Sequence, residues 1–472
     1  MQKANGHIRA VLSRMIFLGL SIQIVLGILW MGCNFGRFQE FGESRFYIEV
    51  SKSFLFDEYT GALYPVLLML ARGIEEILPI PYTYVIQTLQ LAAAFISGYV
   101  FLGALGVRKR GYAVFGSMAI LTVPMAMQCH LAVLPHSLTL SAFLLEMAFV
   151  AAGVRGKQPL QVKQLVKANA CWLVSALLMP DYLYLGLMPV LLWWAYDTWK
   201  YGRQKGKTVF GSLLLIAAFG GMIAGSEELF QEPGCYGRPA KTMDVTLFQR
   251  FTWGFLVENW DEVPEDMKEC CPEEFVTEAS FYAENMEQIP ARLEATLGQE
   301  RAREIYRELN RLVLDRNRGE ILRRIVWDAA GYAAPAAVLP MFLTGRGYDS
   351  YAGINYGVMK RNTPILTKYY VDYSGWWLVA GVLLSGIGVL CSFLSWLSLR
   401  KQAMEKQTTG KEAVGRTVAI VAISIFTAVV MIVWYTMQGS GVWDYKNGLF
   451  VGTLWITWML LRVNGMTCGI KD

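Results

Sequence analysis

The sequence predicts an all-α polytopic membrane protein with about ten transmembrane helices, and three observations predict it. Hydrophobic residues make up 54% of the 472 and charged residues only 17%, a balance foreign to a soluble enzyme. The apolar residues come in blocks close to the ~20 residues that a helix needs to cross a hydrocarbon core of ~30 Å. The basic residues fall between these blocks so that most of them share one side of a membrane.

The expected spans lie near 11–32, 83–106, 111–129, 134–153, 169–180, 182–199, 208–224, 375–398, 417–437 and 446–463. Tyr and Trp recur at their ends, as at Trp193, Trp199, Trp376, Trp377, Trp434 and Tyr435, where interfacial rings are favoured. Lys3, Arg9 and Arg14, the run 108–110, and the basic stretches within 155–167, 200–207 and 400–416 all fall on one side of this arrangement. The positive-inside rule makes that side cytoplasmic and puts both termini there, in a multi-pass plasma-membrane protein. The first span has no small-residue cleavage site after it and reads as an uncleaved anchor.

Two apolar runs are left out of the span count. Residues 61–78 (GALYPVLLMLARGIEEIL) have helical periodicity but carry Arg72, Glu75 and Glu76 and end at Pro79 and Pro81. They predict an amphipathic helix on the outer membrane surface, since counting them as a span would reverse every later loop. Residues 331–344 are too short and too rich in proline to cross.

The predicted organisation is an N-terminal transmembrane module, 1–224, whose first outer loop is 33–82, then an extracytoplasmic helical domain, 225–372, and a C-terminal transmembrane module, 373–472. The net charge of +5 divides along these lines. Residues 225–372 hold 24 Asp/Glu against 17 Lys/Arg, and the rest of the chain holds 26 basic against 14 acidic residues. The positive total is therefore a topology signature, and no basic–aromatic stripe suggests nucleic acid. Within the outer domain, Leu293, Leu297, Ile305, Leu309 and Leu312 are spaced for one buried stripe with charges on the other faces. Cys235, Cys270 and Cys271 lie on the oxidising side, where Cys235 could pair with either neighbour or all three could stay free.

The richest stretch is 38–65, FQEFGESRFYIEVSKSFLFDEYTGALYP. It sets Glu40, Glu43, Glu49, Asp57 and Glu58 among eight aromatic rings at the membrane face. Carboxylates in such a place are costly unless they meet water, a cation or a substrate.

Three motifs carry a family resemblance: GESRFYIEV (42–50), ALYPVLLML (62–70) and SALLMPDYLYL (175–185). In order and topology they resemble the C-type polytopic glycosyltransferases, the group that includes protein O-mannosyltransferases and lipid A aminoarabinose transferases. The likeness covers roughly the first 225 residues, and Met179 stands where an Arg is common. It implies an inverting transfer of a sugar from a polyprenyl-phosphate donor to a saccharide, lipid or protein acceptor of the cell envelope.

By the register of that motif, Glu43 is the expected catalytic base. A hydroxyl acceptor is a poor nucleophile, and a positioned carboxylate can take its proton in the transition state. One carboxylate suffices because a phosphate leaves without protonation, unlike the alcohol that leaves in the two-carboxylate glycosidases. Asp57 and Glu58 are the rival bases, while Glu40 and Glu49 are read as surface charges near Arg37, Arg45 and Lys52. Glu43 could also serve only as a helix-capping or salt-bridging residue.

For the donor phosphate and sugar the candidates are Arg72, His130, His136, Lys360, Arg361 and Lys368. Arg forks phosphate oxygens, although cations near span ends also simply snorkel. Two of the chain's three histidines, His130 and His136, fall in one short outer loop, and their alternative reading is interfacial imidazoles bonded to backbone. A divalent cation could join them, but their spacing matches no recognised metal motif, and the sequence implies no certain cofactor. Asp181, after Pro180, reads either as an acid at the outer face or as a helix N-cap.

Two other functions compete: a transporter or flippase of lipid-linked saccharides, and a non-catalytic envelope scaffold. Transporters favour charged or broken mid-membrane helices and repeated halves. Here Glu146 is the main mid-span charge and the halves do not look alike.

Overall fold

The computed structural model describes residues 2–37, 42–53, 61–107, 109–155, 162–180, 182–201, 243–281, 288–333 and 365–377, with further single positions or short runs between 213 and 221, at 363, and between 380 and 460. Among the described residues every regular element is helical. The first ten are α1 (Gln2–Asn34), α2 (Gly42–Ser53), α3 (Leu63–Ile77), α4 (Tyr82–Ala104), α5 (Arg110–Leu121), α6 (Pro124–Leu131), α7 (His136–Arg155), α8 (Val162–Leu178), α9 (Tyr182–Leu185) and α10 (Leu187–Tyr201).

Three of the described helices are long and apolar enough to cross a membrane: Ala10–Asn34 within α1, and all of α4 and α7. The expected third span, 111–129, is broken into α5 and α6, and proline is the reason. Pro124 occupies the first turn of α6. The residue before it, Val123, is held extended (φ −64°, ψ 128°), as a residue preceding proline prefers. α8 starts at Val162, before the expected 169, because its first turns are polar residues that a hydropathy reading leaves outside the span. The expected spans 208–224, 375–398, 417–437 and 446–463 lie largely outside the described residues, as does most of 331–344.

α7 is the centre of the bundle and packs chiefly against α8 and α4. Phe101 and Leu102 of α4, Phe143, Leu144 and Met147 of α7, and Trp172 of α8 belong to one buried cluster. α10 reaches α7 through Trp193, which lies so close to Gly153 that a methyl group there would sit 2.1 Å from its ring. By contrast α1 leaves Leu18, Val25 and Leu29 more than half exposed along its outer side, as a lipid-facing helix would.

The later helices are α11 (Met243–Leu247), α12 (Trp253–Glu258), α13 (Glu265–Cys270), α14 (Glu273–Phe281), α15 (Gln288–Leu297), α16 (Gln299–Arg316) and α17 (Arg318–Ala333). A π-helical turn, Phe248–Thr252, links α11 to α12. The predicted stripe is divided between α15 and α16 because Gly298 takes a left-handed φ of 80° between them. Leu293, Ile305 and Leu309 are buried with Phe248, Met267 and Tyr306, while Leu297 packs at the edge. Tyr306 donates its hydroxyl to Pro290 O at 3.1 Å. Asn310 bridges Thr252 Oγ1 (2.6 Å) and Asp244 O (2.9 Å), tying α16 to the π turn. Cys270 and Cys271 are free thiols, and Cys235 lies outside the described residues.

Candidate functional site

The strongest polar arrangement lies where α1 ends, α4 begins, α6 ends, α7 begins and α8 ends. The predicted topology makes this the extracytoplasmic end. The last carbonyls of any helix have no intrahelical partner, and inside a membrane protein they must find one. α4 supplies it with two glutamines spaced i, i+3, so that both fall on one face. Gln90 donates to His130 O (2.9 Å), Ala132 O (2.9 Å) and Cys129 O (3.2 Å). Gln87 donates to Leu131 O at 2.7 Å and accepts from Gly36 N at 2.7 Å. Two side chains thus cap α6 and hold the turn that closes α1, where Gly36 has φ 76° and Tyr84 leaves no room for a Cβ.

The first outer loop stands on this junction. Tyr64, fully buried at the start of α3, donates to Gln90 Oε1 at 3.0 Å. Burial first, then Tyr47 and Tyr82, raise its phenol well above the usual range, so it stays a donor at physiological pH. Tyr47 of α2 meets the Tyr64 ring edge-on, with centroids 5.4 Å apart. Before α3, Gly61 (φ 61°) passes so near the end of α8 that a Cβ would lie 2.7 Å from Leu177 O. The path from α2 through Tyr47, Tyr64 and Gln90 to the end of α6 is therefore continuous.

The predicted site residues fall around this path unevenly. Glu43 is the second residue of α2, one helical turn before Tyr47, in a helix seated on α3. Its backbone is described and its side chain is not. Asp57, Glu58, Asp181, Lys360 and Arg361 lie outside the described residues. Glu49 pairs with Arg45 at 2.8 Å, as expected of surface charges. Arg72 sits half-buried on α3, two turns beyond Tyr64. That helix exposes Leu70, Ile74 and Ile77 beside Glu75 and Glu76, a face suited to the membrane surface.

His130 and His136 lie beneath the loop and are both buried. His130 Nδ1 is 2.6 Å from Ser137 Oγ. Desolvation lowers its pKa to about 3, so the ring is neutral at physiological pH and offers a phosphate no charge. Among the described residues no three His, Cys, Asp or Glu side chains gather as a metal site would need.

Lys368 is exposed on the segment 365–377, which docks on α1. Trp30 Nε1 donates to Thr367 Oγ1 at 2.9 Å, Tyr370 donates to Thr122 O at 2.6 Å, and Tyr373 donates to Gly19 O at 3.1 Å. The Thr122 bond lands on the break between α5 and α6. Lys368 and Arg72 thus stand on two separate elements, with no described contact between them.

The residues that organise this end, Gln87, Gln90, Tyr47 and Tyr64, were not among those the sequence singled out. The available signal was two glutamines at i, i+3 in an apolar span, which must face a polar partner inside the bundle.

No protein-family model matches the chain, and no curated protein matches it. Among solved structures it is similar to ArnT from Cupriavidus metallidurans bound to undecaprenyl phosphate, at 14% sequence identity and a TM-score of 0.33, over 96% of this chain and 77% of that one.

Proposed function

We propose that this protein is a membrane glycosyltransferase that moves a sugar from a polyprenyl-phosphate donor to a cell-envelope acceptor on the extracytoplasmic side, with inversion. One observation carries the reading. The loop that bears the GESRFYIEV motif is fixed to the bundle through Tyr47, Tyr64 and Gln90, so an acid at its head has a rigid support at the membrane face. In this reading Glu43 takes the acceptor hydroxyl's proton as oxygen attacks the anomeric carbon and the lipid phosphate departs. Asp57 and Glu58 are the alternative bases.

Cations at the rim would hold the phosphate: Arg72 from α3, Lys368 from the segment docked on α1, and Lys360 and Arg361 just before it. His130 supports the loop from below as a neutral ring, with His136 buried beside it at the start of α7. The acceptor approaches from water and the donor from the bilayer, which the apolar face of α3 would meet.

The test uses purified protein and a radiolabelled polyprenyl-phosphate sugar. Wild-type transfer with loss in Glu43→Gln supports the reading. A folded E43Q protein with full activity removes Glu43 as base, and a wild type inert toward varied donors and acceptors removes the enzyme. Transport of a lipid-linked saccharide is the second reading, favoured by the buried Glu146 in α7. Protein-dependent movement of the labelled lipid across vesicles, without transfer, would select it.

A further inference from the structure

Glu146 stands at the middle of α7, ten residues after His136 and nine before Arg155. It is fully buried, and neither carboxylate oxygen has a hydrogen-bond partner among the described residues. An isolated carboxylate in a medium of low dielectric costs far more than the loss of its charge, so such a group keeps its proton. Among the described residues, the elements packed on α7 bring no cation into bonding distance of Glu146. α4 carries only tyrosines as ionisable groups, and α6 contributes the neutral His130. α10 brings Asp197 and Lys200, and Lys200 lies over the Tyr196 ring. From α8, Lys167 lies over Phe149 at 5.2 Å instead of reaching the acid.

α8 adds a second, independent observation. Gln164, Lys167, Cys171 and Ser175 recur at helical spacing along one face of a helix packed against α7. Cys171 is in electrostatic reach of both Glu146 and Lys167, and Lys167 is exposed at the end where α8 begins. Gln164 Oε1 is buried there without a partner. A polar row therefore runs from the surface to the level of the acid through otherwise apolar packing.

We propose that Glu146 is an intramembrane proton-binding site, protonated at neutral pH and exchanging its proton with water along the α8 row Gln164–Lys167–Cys171. The step is a simple protonation: the carboxylate oxygen binds a proton arriving from water through the row and returns it the same way, and no other bond changes. The site is separate from the loop junction and holds under either reading of the function.

Infrared spectroscopy of the purified full-length protein tests it. At pH 7 a protonated-carboxyl C=O band is expected, missing from Glu146→Gln and retained in Asp197→Asn, and it should shift downward in D2O within minutes. Cys171→Leu should slow that shift at least tenfold. Because E146Q could fail to fold, the wild type labelled with [13C]carboxyl glutamate provides the same assignment by isotope shift. Absence of the glutamate band at pH 7 overturns the proposal, since Glu146 is then ionised. A band that stays unshifted in D2O for days overturns it equally, because the proton is then sealed in. A shift as fast in C171L as in wild type removes the α8 route.

Discussion

Replacing Gln90 with Leu asks whether the buried amide holds the first loop and the end of α6 together. Leucine keeps much of the volume, so the cavity contribution is small, and the loss is polar. The Tyr64 hydroxyl loses its acceptor, and the carbonyls of Cys129, His130 and Ala132 lose the two amide protons that they share. Interhelical hydrogen bonds in bilayers average ~0.6 kcal/mol, because the unfolded chain also finds partners, so two of them give a floor near ~1 kcal/mol. A buried group left fully unsatisfied costs about 1–3 kcal/mol, so the hydroxyl and one carbonyl set a ceiling near ~6 kcal/mol. Tyr64→Phe removes only the donor and should cost about 1–2 kcal/mol. In the double variant the orphaned hydroxyl no longer exists, so its loss should fall short of the sum by about 1 kcal/mol. Reversible unfolding in mixed micelles, followed by circular dichroism, measures all four proteins. An unmoved midpoint for Q90L, or a cycle that sums without remainder, would refute the reasoning.

Three further predictions rest on other links. Gly61→Ala places a Cβ at a left-handed φ and 2.7 Å from Leu177 O, so it should destabilise by at least ~1–2 kcal/mol and loosen the loop; limited proteolysis between α2 and α3 no faster than wild type would contradict this. Glu43→Gln should lower transfer by about 10²–10⁴-fold with an unchanged unfolding midpoint, which steady-state kinetics beside a melt can check. For His130 the folded pKa, about 3, lies below the ordinary unfolded value of ~6.5, so its contribution is complete above pH 6.5 and is lost as the pH falls from there toward 3. His130→Gln should flatten that acid limb of the stability profile, and an identical limb in the two proteins would count against a neutral buried ring.

How far the sequence could be read depended on whether a residue's role was local or shared. The lengths of α4 and α7, and α3 ending before Pro79, follow from short-range pattern, and the structure has them where hydropathy puts them. The break at Pro124 was also written locally, yet the apolar run across it masked the signal. The histidines show the opposite case. Their type suggested donor-phosphate or sugar ligands, but burial at the end of α6 makes His130 neutral, and burial depends on distant elements.

Sequence alone determined the membrane class, the order of the main helices and the acidic, aromatic first loop, because hydropathy, proline and helical periodicity act over a few residues. Only the tertiary structure decided what that loop stands on. Tyr64, Gln90 and the carbonyls of 129, 130 and 132 are far apart in the chain, and none is exceptional by itself. Their pairing arises because the unbonded end of α6, buried in the bundle, must take its partners from whichever helix packs against it.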